Sequence, residues 1–163
     1  MKSLLTTLPA LLPVAYAFAE RHEAIILEIG EALDAAQIAD ARRAGVAQPE
    51  NIRVLEVTTL PEPSNQDALF AARRSGLFQP ESRGMAVGWG IYLCEAARGD
   101  RQVLLHECVH VAQYERMGGI RPFLDIYLRE CIDPGYPFGG LEQEAILVSR
   151  DICKRRAGQI VAG

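Results

Sequence analysis

The chain has 163 residues, which suits one domain and is short for two. Hydrophobic residues make up 49%, enough for a packed core, so global disorder is excluded. A net charge of −4 leaves no basic footprint of the kind nucleic-acid binding needs, and the basic spots at 73–74 and 154–156 are too short to supply one.

The first residues, MKSLLTTLPALLPVAYAFAE, combine an apolar run with an AYA that resembles a signal-peptidase site. Pro9 and Pro13 interrupt the run and Lys2 is its one positive residue, so we read a cytoplasmic protein. Export is the alternative if residues 1–17 act as a signal peptide. No uninterrupted apolar segment is long enough to span a membrane.

From about 13 to 44 the pattern is helical, with Ala17, Ile25, Leu33 and Ile38 spaced by turns and Gly30 as a possible divide. Gly45 and Pro49 stop it. IRVLEV, 52–57, alternates apolar and polar residues and reads as a strand. Pro61 and Pro63 make 60–66 a loop, and 67–74 a short helix follows. GMAVGWGIYLC, 84–94, reads as a second strand with Gly88 and Gly90 flanking Trp89. Glycine in a strand implies a bulge, a hairpin or the close approach of another backbone. We expect residues 86–93 to form the rim of a functional cleft, with an exposed edge to which an extended peptide could add.

Asp100 is placed to cap a helix that runs to Met117 and ends at Gly118–Gly119. A further helix over 121–132 shows Phe123, Ile126, Tyr127 and Cys131 on one face. DPGYPFGG, 133–140, is turn-rich. A last helix over 141–157 turns Leu141, Ala145, Val148 and Ile152 inward. The chain is therefore read as one α+β domain over 1–163, mostly helical with a small sheet. Its N-terminal part, 1–45, is helical, and its chemistry lies in 84–157.

VLLHECVH, 103–110, carries that chemistry. His106 and His110 are four apart, which on a helix places both imidazoles on one face and lets them share a metal. Glu107 is rotated ~100° from His106, out of the ligand direction but within reach of a water held by the metal. Two ligands and a general base thus fit within five residues, and zinc is the metal this pattern implies. The flanks Val103, Leu104, Leu105, Val109, Val111 and Ala112 are uncharged, so the helix is buried, and a buried unpaired histidine pair would be costly.

A catalytic zinc needs a third protein ligand. His22 sits among charged neighbours and reads as a surface residue. LEQEA, 141–145, offers Glu142 and Glu144, which point nearly opposite ways on a helix, and periodicity favours Glu142 only slightly. Asp125 and Glu130 are candidates to orient the histidines from behind or are solvated helix residues. None of Cys94, Cys108, Cys131 and Cys153 forms a C-x-x-C pair, so we expect free and mostly buried thiols, with Cys108 a small core residue pointing away from the histidine face.

HECVH followed by a helix carrying E-x-x-A resembles the gluzincin metallopeptidases, over about residues 84–150. The resemblance implies a zincin-like fold with zinc held by His106, His110 and Glu142, the glutamate that opens Glu142-Gln143-Glu144-Ala145. Glu144 is the alternative third ligand. Ile146 stands where the family often has aspartate, a departure that weakens the support behind the ligands. Tyr136 resembles the tyrosine that precedes the zinc glutamate in the anthrax lethal factor type, which implies a role at the oxyanion; Tyr92 and Tyr127 are its rivals. The implied activity is hydrolysis of a peptide or protein substrate, with Glu107 as general base. A non-catalytic metal-binding or interaction module, and a metal-free helical partner-binding protein, are the alternatives. The substrate does not follow from the resemblance.

Overall fold

The computed structural model describes residues 3–77 and 79–159. Among these residues six α-helices surround one small sheet: α1 (Leu4–Ile29), β1 (Glu31–Ala32), α2 (Ala35–Arg43), β2 (Arg53–Val57), α3 (Gln66–Ser75), β3 (Gly84–Val87), β4 (Gly90–Cys94), α4 (Arg101–Met117), α5 (Ile120–Glu130) and α6 (Gly140–Gln159). The sheet order is β1-β2-β4-β3. β2 and β4 run parallel, and the outer pairs, β1–β2 and β3–β4, are antiparallel. This is the expected α+β architecture with a small sheet.

Local chemistry explains most boundaries. Asp34 and Gln37 form a reciprocal capping box at the start of α2. Asp100 caps α4 by accepting from the N–H groups of Gln102 and Val103, and Gly118, at φ +95°, closes it in the left-handed region. Glu130 caps α6 through the Leu141 N–H at 2.9 Å.

Several expectations change. α1 begins at Leu4 and carries Pro9 and Pro13 inside it, each lacking one N–H for the backbone ladder. Its buried residues are Leu8, Ala19 and Ile26, whereas Ala17 is exposed. The segment at 84–94 is a hairpin, not one strand: Gly88 turns at φ +59° and separates β3 from β4. Ile126 faces outward on α5. On α6, Ser149 occupies a buried position beside the half-buried Val148.

Two apolar clusters flank the sheet. One joins Ile52 and Ile91 to Leu105, Cys108, Val109, Val111 and Ala145. The other joins Ala19, Ile26 and Tyr92 to Tyr114, Phe123 and Leu141. α4 contributes to both, so its buried middle is held on opposite sides. All four cysteines are free, and Cys94, Cys108 and Cys131 are buried. No described helix is long and apolar enough to cross a membrane.

Candidate metal centre

α4 presents His106 and His110 on one face, as their spacing requires, with ring centroids 4.8 Å apart. α6 packs against α4 and brings Glu142 to them. The Nε2 atoms of the two histidines are 3.2 Å apart. Glu142 Oε1 lies 3.1 Å from Nε2 of His106, and its Oε2 lies 3.2 Å from Nε2 of His110. A metal held by nitrogen and oxygen at ~2.0–2.2 Å in a tetrahedron separates its ligand atoms by roughly 3.3–3.6 Å. The three contacts fall just short of that range and use both oxygens of Glu142; taking one ligand atom from each residue, all lie within 4.8 Å of one another, so these three residues could hold a metal.

The electrostatics of the triad follow from burial opposed by pairing. Burial alone would raise the Glu142 carboxyl, but hydrogen bonds and charge from both histidines hold it well below the usual carboxylate range. Burial pulls the His106 imidazole down, yet its bond to Glu142 and the nearby Glu107 charge leave it above its ordinary value. The two carboxylate-bearing helices therefore build a site whose charge suits a cation.

His110 is oriented from behind. Its Nδ1 lies 2.8 Å from Oε1 of Gln113, which is fully buried. An amide oxygen can only accept, so Nδ1 carries the proton and Nε2 keeps a lone pair for a metal. Gln113 is held in turn, its Nε2 donating to Leu141 O at 2.9 Å and to Glu144 Oε2 at 2.8 Å. Glu144 is thus not beside the histidines. It pairs with Arg116 and accepts from Gln113. Gln113 supplies the support that Ile146 cannot, a role that sequence reading missed; its position one turn after His110 was the available signal.

Glu107 is buried in the same cavity but lies outside the ligand group. Burial raises its carboxyl, partly offset by the two histidines, while the Ala86 N–H donates to it. It packs so closely on β3 that a Cβ at Gly84 would lie 2.8 Å from Oε1 and 2.9 Å from Cγ. Gly84, not Gly88 or Gly90, is therefore the glycine that the site requires. A Cβ at Gly88 would strike Glu23 at 1.9 Å, and one at Gly90 would strike Ile26 at 2.9 Å. Those two glycines admit α1 rather than a substrate.

The expected rim at 86–93 holds for Ala86 and Val87, which line the cavity, but the expected exposed edge is not found in β4. β4 is paired on both sides, with β2 and β3. β3 is the terminal strand, but α4 covers it at Ala86, whose carbonyl accepts from the Tyr114 hydroxyl at 3.2 Å. Trp89 lies outside the cavity; its N–H donates to Glu23 and its indole to Glu115.

The tyrosines separate by partner. Tyr127 donates to Glu142 Oε2 at 2.9 Å and packs its ring near His110. Tyr92 is bonded to His22 at 2.7 Å, so His22 is half-buried and not a surface residue. Tyr136 lines the cavity with the triad, and burial and the charges of Glu142 and Glu107 raise its hydroxyl, which keeps it protonated. Asp125 bonds Tyr16 and Glu130 caps α6, so neither orients a histidine. Cys108 sits in the core, its thiol pushed up to about 12 by burial.

No protein-family profile, curated protein or solved structure matches the chain.

Proposed function

We propose that this protein is a zincin-like, zinc-dependent hydrolase of peptide bonds in which Glu107 is the general base. The observation that carries the reading is the division of labour among the buried acidic groups. Glu142 joins the histidines, whereas Glu107 lines the same cavity without entering the ligand group. A purely structural site needs no such spare carboxylate.

When bound at His106, His110 and Glu142, zinc supplies Lewis acidity toward a water and a carbonyl oxygen. Glu107 accepts the proton of the attacking water on its carboxylate and returns it to the leaving amine. Ala86, Gly84 and Tyr114 hold that carboxylate and the strand beside it in place. Tyr136, protonated and facing the cavity, is the donor for the developing oxyanion. The partner is a peptide or protein substrate. Four free thiols, three of them buried, suit a reducing compartment such as the cytoplasm.

The test pairs metal content with turnover. Zinc-loaded wild type is expected to cleave a mixture of peptides, and Glu107→Gln to lose roughly 10²-fold or more of that rate at equal zinc content. Equal rates in the two proteins would remove Glu107 from the mechanism.

A further inference from the structure

The cavity that holds the triad extends well beyond it. Leu4, Leu8 and Leu11 of α1, Ala68 and Ala72 of α3, and Leu128 of α5 all line it. From Leu4 to Ala19 the lining follows α1 for ~22 Å at 1.5 Å per residue. Ala15 and Ala19 share a buried cluster with Phe123 and Tyr127, whose rings lie 6.1 Å and 5.4 Å from that of His110. Among the described residues, the charged groups in the lining are His106, Glu107, His110 and Glu142 alone. Beyond the site itself the walls are mostly hydrocarbon, with Ser75 and Ser82 among their few polar side chains.

The chemistry of the walls narrows the choice of guest. A peptide backbone running on past the triad would carry N–H and C=O groups into a wall of mostly leucine and alanine side chains, where they would go unbonded at a cost. A linear alkyl chain has no such groups.

We infer that the substrate carries a linear acyl or alkyl chain that fills this channel, with the bond to be cleaved lying at His106, Glu107, His110 and Glu142. This rests on the hydrolase reading for the cleavage but not for the binding. The substrate class is an amide or peptide bearing a lipid chain. Water attacks the amide carbonyl, the C–N bond breaks, and the products are a carboxylic acid and an amine. The base that takes the water's proton delivers it to that amine, so no further reactant is required.

The test measures binding and cleavage separately. A series of N-acyl-alanine amides carrying acetyl, hexanoyl, decanoyl and myristoyl chains is titrated into the full chain carrying Glu107→Gln, with and without zinc, by competition with a dansylated fatty acid. Affinity is expected to rise about two- to fourfold per added methylene until the channel is full. Leu11→Asp should weaken the long-chain members more than tenfold and leave the acetyl member unchanged. Ala68→Trp, on a helix with no buried residue, should shorten the longest chain that still gains affinity. A flat series overturns the inference, as does tighter binding of leucine-rich hexapeptides than of the long acyl amides. The same compounds are then given to zinc-loaded wild type. A rising binding series with no hydrolysis of any member leaves the channel standing and removes the hydrolase reading. A flat binding series with hydrolysis of the members does the reverse.

Discussion

The amide oxygen of Gln113 lies 2.8 Å from Nδ1 of His110 and sets which nitrogen of that ring can bind a metal. Behind it stand Leu141 O and Glu144, each within 3 Å of the Gln113 amide nitrogen, and then Arg116. Gln113→Ala should weaken zinc binding by about 10- to 100-fold, the usual range for groups that support a ligand histidine. Titration against a chelating dye would measure it. Gln113→Glu should retain more affinity than the alanine variant, because it can still accept from Nδ1. An alanine variant with wild-type affinity would show that His110 needs no orienting partner.

Glu142 and Glu144 have different jobs two residues apart. Glu142→Ala should abolish tight zinc binding, since it removes one of three ligands. Glu144→Ala frees Arg116 and one Gln113 donor but leaves Glu142 in place, so the loss should be several-fold at most. Metal titration of both variants decides the matter, and the reverse order of effects would exchange their roles.

Gly84→Ala is a steric test of Glu107. The new methyl would meet Oε1 at 2.8 Å and Cγ at 2.9 Å, so the carboxylate must shift away from β3. Zinc content should be unchanged while hydrolysis falls at least tenfold, because a small misplacement of a catalytic group is costly. Gly99→Ala, where a Cβ meets nothing within 4 Å but φ is +77°, is the control for backbone strain alone. If both variants lose only stability, contact with Glu107 is not the reason for Gly84.

His22 gives the fold a pH dependence away from the metal. Burial, with help from the Arg21 charge, lowers its imidazole below the ordinary 6.5. The unfolded chain therefore takes up this proton at higher pH than the folded one. The His22 contribution is complete above about pH 6.5 and is lost as the pH falls through the lowered folded value. In urea melts, His22→Gln should lose less stability than wild type between neutral and mildly acidic pH. Parallel slopes for the two proteins would rule out His22 as the source.

What was legible in the sequence divides by range. α4 could be read end to end because Asp100 and Gly118 act within one turn of its ends. The triad was legible because a spacing of four on a helix is a statement about one face. The choice between Glu142 and Glu144 was not settled by periodicity, since it depends on Arg116, a full helix earlier in the chain. Gly88 and Gly90 stand out in the sequence, but the reason for them is Glu23 and Ile26, over sixty residues away. The start of α1 was hidden by Pro9 and Pro13, which normally argue against a helix interior.

β4 is hydrogen-bonded on both edges, and its successive side chains belong to different cores: Ile91 to one, Tyr92 to the other. Neither core can come apart without exposing a strand that the other also needs. The same holds for α4, which gives Val111 to the first and Tyr114 to the second. The chain therefore has no natural line along which to melt in halves. Unfolding is expected to be all-or-none, with the metal helix lost in the same event as the sheet, so that far-ultraviolet and tyrosine signals should melt together.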